Sequence, residues 1–242
     1  MADDVLLRCE KLEVGYGGKA ILPPVDLELR AGEFWAVIGR NGSGKSTWFR
    51  TLLGLLPAVS GRVLQPGGPV ELAYVGQRMA FDPLFPVTAR EVVTMGTMRR
   101  WSFLKPSLKA PPIVDEALEA VDAAGLATRS FRALSEGQKQ RVLLARMVAS
   151  GARLALLDEP TAAMDAVAER QAMELIDRVR QRFGMAVLVV SHHLEATLPL
   201  AERALFVDPD HDAVVVGAVD DVCRHRVFIA RYGAHIAEGL HG

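Results

Sequence analysis

Gly39-Arg40-Asn41-Gly42-Ser43-Gly44-Lys45-Ser46-Thr47 decides the fold of this chain. It fits the pattern G-x-x-x-x-G-K-S/T. The apolar run Phe34-Trp35-Ala36-Val37-Ile38 precedes it and reads as a strand, and a helix is predicted over residues 45–56, stopped by Pro57. Strand, loop and helix in that order are what the pattern needs. Glycines let backbone N–H groups curl around β- and γ-phosphates, and the helix N-terminus adds its partial positive charge. Lys45 is placed to neutralise phosphate oxygens, and the Ser46 hydroxyl to reach Mg²⁺. A glycine-rich turn with a solvated lysine is the rival reading, and the matching context disfavours it.

Working outward, residues 5–29 read as two short strands around a turn containing Gly15-Tyr16-Gly17-Gly18, with Pro23-Pro24 punctuating the return. Downstream, a strand is predicted over 70–75, ended by Gly76-Gln77, and a proline-rich connector runs through Pro86. Little strand character follows until Ser150. Helices are expected there at 89–98, 113–124 and 138–149, the first opened by a Thr88/Glu91 capping box. Residues 154–157 and 186–190 are continuous apolar runs of the kind seen when both sheet faces are covered, with a helix expected between them at 166–181. Residues 204–207 and 213–216 around Asp208-Pro209-Asp210-His211-Asp212 suggest a hairpin before a mixed tail. The simplest architecture is a single domain, 1–242. Its α/β core comprises about 1–77 and 151–242, and a helical insertion occupies about 78–150.

Composition narrows the function. The 242 residues carry 28 Lys+Arg against 29 Asp+Glu, a net charge of −1, and half are apolar. Such a chain buries a substantial core, and its charge balance argues against a protein built to grip nucleic acid. No apolar run approaches the ~18 residues that span a bilayer. The N-terminus, Met1-Ala2-Asp3-Asp4, is acidic where a signal peptide is basic, so a cytoplasmic address is expected. Cys9 and Cys223 have no C-x-x-C spacing and read as plain small side chains. The histidines His211, His225, His235 and His241 are scattered, and surface placement is expected for them.

Two further stretches carry chemistry. Leu154-Ala155-Leu156-Leu157-Asp158-Glu159 puts two carboxylates at the end of an apolar strand, the edge where open α/β sheets bind ligands. Asp158 would hold Mg²⁺, directly or through water, and Glu159 would orient or deprotonate attacking water. A polar turn before Pro160 is the alternative. Leu134-Ser135-Glu136-Gly137-Gln138 precedes a helix, and Ser135 with Gln138 satisfies a capping box. The same helix start also fits a second phosphate cradle. Two cradles in one chain make sense if each serves a nucleotide shared with a second copy, in a head-to-tail dimer with C₂ symmetry.

Taken together these motifs resemble the nucleotide-binding subunit of an ATP-binding cassette (ABC) transporter, over nearly the full length of the chain. The resemblance implies a P-loop NTPase core with a mainly parallel sheet, an N-terminal antiparallel β subdomain and an inserted helical subdomain, using ATP and Mg²⁺. It implies that Tyr16 stacks on adenine, and that residues from Gly39 to Thr47 hold the phosphates. Gln77 would touch Mg²⁺ and attacking water and sense the transmembrane partner, while Ser135, Gly137 and Gln138 contact the other subunit's ATP. Asp165 would lie at the dimer seam, and His192 would contact the γ-phosphate. Read singly, Tyr16 also fits a packed turn aromatic, Gln77 a loop polar residue, Asp165 a helix N-cap and His192 a solvated turn histidine.

Three departures stand out: Glu136 where glycine is commonest, Trp48 where an aliphatic residue is usual, and His193 where an acid commonly follows the histidine. None removes a ligand. Residues 81–88, continuing to Gly96, are similar to the stretch after the glutamine in ATPases of manganese, zinc and iron importers, where the membrane partner docks. Phe81, Leu84 and Phe85 would then form an exposed apolar patch on this chain that docks on that partner, or else cap the chain's own core. The expected function is therefore an ATPase driving transmembrane permease subunits that import metal ions or metal chelates, with a solute-binding protein in the full system, on the cytoplasmic face of the cell membrane. Soluble cassette ATPases usually carry two cassettes or a long coiled coil, neither present here. The ATPase of a lipid or drug transporter is a second alternative. A P-loop GTPase would carry N-K-x-D, which is absent.

Overall fold

The computed structural model describes residues 5–76, 87–98, 110–162 and 164–236. β1 (Val5–Glu13) leads into the short hairpin of β2 (Gly15–Tyr16) and β3 (Lys19–Ala20), and β4 (Val25–Arg30) returns antiparallel to β1. Gly17 and Gly18 make the hairpin turn at φ +57° and +76°, the left-handed pair that suits the twist of flanking strands. β5 (Phe34–Ile38) is followed by α1 (Lys45–Leu52), and β6 (Ser60–Leu64) pairs with the other side of β1. After β7 (Leu72–Val75) come α2 (Ala89–Gly96), α3 (Pro112–Ala120) and α4 (Glu136–Ala149). β8 (Leu154–Asp158), α5 (Ala166–Phe183), β9 (Ala186–Val190) and α6 (Leu194–Thr197) follow. The hairpin of β10 (Arg203–Asp208) and β11 (Ala213–Ala218) then leads to α7 (Val219–Cys223) and α8 (Arg226–Tyr232).

The main sheet has the order β11-β10-β5-β9-β8-β7, parallel throughout except for the antiparallel pair β10 and β11. Strands β5, β8 and β9 are buried at every position, which explains their apolar sequences, broken only by Asp158 at the end of β8. Their side chains still alternate between two cores. Ala155, Leu157, Val187 and Val189 pack with α2 to α5, whereas Leu154, Leu156, Leu188 and Val190 pack with α1 and the β4-β1-β6 sheet. A third cluster joins Ala36, Ile38 and Phe206 to Phe228 of α8. Between β7 and β8 every described strand or helix is a helix.

Some boundaries differ from the expectation. α1 ends at Leu52 rather than 56, because Gly54 at φ +69° turns the chain and the N–H groups of Leu55 and Gly54 close onto Arg50 and Thr51 carbonyls. The strand β6 is an addition to the expected elements, since its residues are mostly exposed and its pattern lacks an apolar face. α2 and α3 end earlier than predicted, α4 starts at Glu136, and the tail folds as two short helices. Both cysteines are buried free thiols, with Cys9 pushed up to about 12 and Cys223 to about 11, in each case mainly by burial.

Candidate active site

Because β5, β9 and β8 are parallel neighbours, the segments leaving their C-terminal ends meet at one sheet edge. These are the glycine-rich loop after β5, the acid pair at the end of β8 and the histidines after β9. Three sequence-distant segments thus become one site.

In the loop, Gly39 is fixed by crowding: a Cβ there would lie 2.6 Å from both Ser43 Oγ and the Val207 carbonyl oxygen. Gly42 and Gly44 sit at φ +80° and +97°, left-handed conformations that favour glycine. The loop delivers the chain into α1, whose first-turn N–H groups have no intrahelical partner. Lys45 folds back, its Nζ donating to the carbonyls of Gly39 at 2.6 Å and Arg40 at 2.7 Å. Burial holds its amine below the ordinary lysine value, and the charges of Glu159 and Asp158 oppose that shift. The Ser43 hydroxyl is buried without a hydrogen-bond partner. An orphaned donor beside a retracted cation suits an anion with oxygen acceptors.

Ser46 Oγ donates to Asp158 Oδ2 at 2.9 Å, and the hydroxyl of Tyr74 on β7 donates to the same oxygen at 3.2 Å. Asp158 is 8% exposed. A carboxylate and a hydroxyl held together supply the hard oxygen donors that Mg²⁺ prefers, and Mg²⁺ takes few protein ligands when phosphates complete its shell. Among the described residues no cluster of three or more His, Cys, Asp or Glu could hold a metal alone. Glu159 adopts φ +53°, a left-handed conformation uncommon outside glycine, and its N–H donates to the Val190 carbonyl. That turn directs its carboxylate onto His192 Nε2, with which it is hydrogen-bonded.

Tyr16 is half exposed at the hairpin tip, its hydroxyl 3.1 Å from Thr47 Oγ1, so the hairpin leans on the phosphate loop. Asn41 lies on the exposed loop surface. Ser135 caps α4: its Oγ accepts from the Gln138 N–H at 3.3 Å, and Gln138 Oε1 accepts from the Ser135 N–H at 3.1 Å. Gly137 has open space where a Cβ would stand. Ser135, Gly137 and Gln138 border a cavity of about 500 Å³ with Met164, Ala168 and Leu175, and no residue from 39–47 lines it. Within one chain the two cradles are therefore separate. Asp165 caps α5, accepting from the N–H groups of Val167 and Ala168. Gln77 and residues 81–86 lie outside the described residues.

Sequence reading missed Tyr74, whose phenol is pushed up to about 12 by burial and by the neighbouring Asp158 charge. It also missed Glu169, a buried acid of α5. Neither strand alternation at Tyr74 nor helical periodicity at Glu169 marks them, because the tertiary fold brings Asp158 to the one and His193 to the other.

Comparison with known proteins adds relatives of nearly full length. The family model for ABC transporters matches residues 22–162. The zinc import ATP-binding protein ZnuC of Yersinia pestis is 35% identical over 236 residues, covering 98% of this chain and 88% of the relative. The ZnuC of Cereibacter sphaeroides is 38% identical over 200 residues, covering 83% of this chain and 78% of the relative. An ABC transporter of metal-chelate type, solved in an inward-facing conformation, superposes with a TM-score of 0.82 at 26% identity, covering 93% of this chain and 88% of that one. CbiO1 from Clostridium perfringens, part of the cbiONQ transporter complex, shares the fold at a TM-score of 0.79 and 23% identity, covering 99% of this chain and 98% of that one.

Proposed function

This chain belongs to the ABC transporter family, and from that premise we propose that it is the ATP-hydrolysing subunit of a membrane importer of metal ions or metal chelates, with zinc the first cargo to test. The observation that carries the chemistry is the meeting at one sheet edge of Lys45, Ser46 and Asp158 with the hydrogen-bonded pair Glu159 and His192. The loop from Gly39 to Thr47 cradles the phosphates of ATP, and Lys45 leaves the Gly39 and Arg40 carbonyls to meet them. Ser46 and Asp158, with Gln77, would hold Mg²⁺. When bound, that ion neutralises charge on the β- and γ-phosphate oxygens. Glu159 activates the attacking water, and His192, its hydrogen-bond partner, contacts the γ-phosphate.

The separation of the Ser135 cradle from the phosphate loop supports a head-to-tail dimer in which each Ser135 cradle closes on the other copy's ATP. No described helix is long and apolar enough to cross a membrane. Transport in this reading belongs to separate permease subunits, which the chain meets at the cytoplasmic face, with a solute-binding protein delivering cargo. The zinc import relatives favour metal as that cargo.

The test is to reconstitute the chain in vesicles with the membrane subunits encoded beside its gene. ATP-dependent uptake of zinc, manganese or a ferric chelate is then measured in parallel. Uptake of zinc above the other two is expected. ATP hydrolysis without uptake of any of the three would overturn the cargo assignment and leave the ATPase in place.

A further inference from the structure

Glu169 is an acid where a core position would ordinarily be apolar. It lies in the first turn of α5, 2% exposed, and each of its carboxylate oxygens meets a different segment of the sheet edge. Oε1 accepts from Thr161 Oγ1 at 2.9 Å, and Oε2 lies 3.2 Å from His193 Nδ1. Thr161, itself 2% exposed, follows Glu159 by two residues, and His193 follows His192 directly. Burying a carboxylate is costly unless its oxygens are paired, and here buried Thr161 pairs one oxygen while His193, its own side chain 56% exposed, covers the other. His193 is fixed in turn by its backbone: its N–H donates to Ser191 Oγ at 3.0 Å, and its carbonyl accepts from Thr197 Oγ1 at 3.1 Å.

We propose that Glu169 and His193 form a matched positioning pair that sets the spacing of the chain after β8 against the chain after β9, and thereby holds His192 on Glu159. The inference rests on the reading of Glu159 and His192 as the hydrolytic pair and adds two residues that act through that pair. The Glu159 and His192 side chains meet across two loops, and a loop shift of about 1 Å is enough to cost on the order of 10²-fold in rate. Glu169 meets both loops one or two residues from the reacting side chains, through its hydrogen bond from Thr161 and its 3.2 Å contact with His193. The pairing also accounts for the identity of residue 193. An acid there would set a second carboxylate beside a buried one, and like charges at that distance repel.

The test is a charge-swap series in the full chain: His193→Asp, His193→Gln, Glu169→Gln and the double variant Glu169→Gln/His193→Asp. ATP hydrolysis is measured alongside the Kd for ATP without turnover and the melting temperature. His193→Asp is expected to lower kcat by about 10–100-fold with ATP affinity within about twofold of wild type. His193→Gln, which keeps a donor, should lose less. The double variant should recover most of the loss, because the neutral amide introduced by Glu169→Gln can donate to the new carboxylate. Wild-type turnover tests the hydrolase reading by itself, whereas only the ratios among variants test the pair. Unchanged kcat in His193→Asp, equal loss in His193→Asp and His193→Gln, or a folded double variant no faster than His193→Asp would overturn the proposal. Should the Glu169 variants fail to fold, the contrast between His193→Asp and His193→Gln still decides it.

Discussion

Ser46 and Asp158, 112 positions apart in sequence, are joined by a 2.9 Å hydrogen bond from the serine hydroxyl to Oδ2, the oxygen that also accepts the Tyr74 hydroxyl. Tyr74 therefore gives the carboxylate a second anchor, from a strand outside the phosphate loop. Tyr74→Phe keeps the ring and deletes one hydrogen bond to a charged acceptor. We expect half-saturating Mg²⁺ for hydrolysis to rise about fivefold, equivalent to ~1 kcal/mol, with ATP binding in chelator unchanged. An unaltered Mg²⁺ titration would remove Tyr74 from the site.

Glu159→Gln preserves the shape of the side chain and removes its basicity. Hydrolysis should fall by ~10²–10⁴ while ATP still binds. If the dimer closes on ATP, the variant should accumulate as an ATP-dependent dimer in size-exclusion chromatography. Near-normal turnover would exclude Glu159 as the base.

Ser135→Arg tests whether the second cradle acts in trans. The substitution sits on an exposed helix cap away from the chain's own phosphate loop, so the monomer should bind ATP normally. Hydrolysis should drop and lose its steeper-than-linear dependence on protein concentration. Retained activity, linear in concentration, would favour a site complete within one chain.

Asp208 anchors the end of β10 to α8, accepting from Arg231 Nε and Nη2 at 2.9 Å each. The Arg231 hydrogen bonds, aided by His211, hold its carboxyl below the ordinary value of 3.8 despite burial. Its contribution to stability is thus fully present above about pH 4 and lost as pH falls through the depressed native value. Denaturant melts at pH 7 should find Asp208→Asn less stable by about 2 kcal/mol, a gap that closes as the pH is lowered below 3.8. A gap that persists into acid would show that shape rather than charge makes the anchor.

Cys9 and Cys223 should be silent to thiol reagents at pH 8 in the native protein and react fully in denaturant, because thiols pushed up to about 12 and about 11 carry almost no thiolate. A fast native reaction with either would mean that its segment opens on the time scale of labelling.

What the sequence determined by itself was local. The strand of residues 34–38, the glycines and lysine of the phosphate loop, and the capping boxes at Thr88/Glu91 and Ser135/Gln138 rest on contacts within a few residues. Continuous apolar runs foretold the buried strands β8 and β9, since a strand covered on both faces favours apolar side chains up to its end, where β8 presents Asp158. The tertiary structure decided what these pieces meet. β6 became a strand through pairing with β1 rather than through any apolar face of its own, and α1 stopped where Gly54 could turn left-handed. Tyr74 and Glu169 took on roles only when sheet order set β7 beside β8 and the fold brought α5 against the loop after β9. Hydrogen bonds between side chains depend on ångström distances, and across 33 or 112 residues those distances are fixed by strand order and register, which no local pattern of residues encodes.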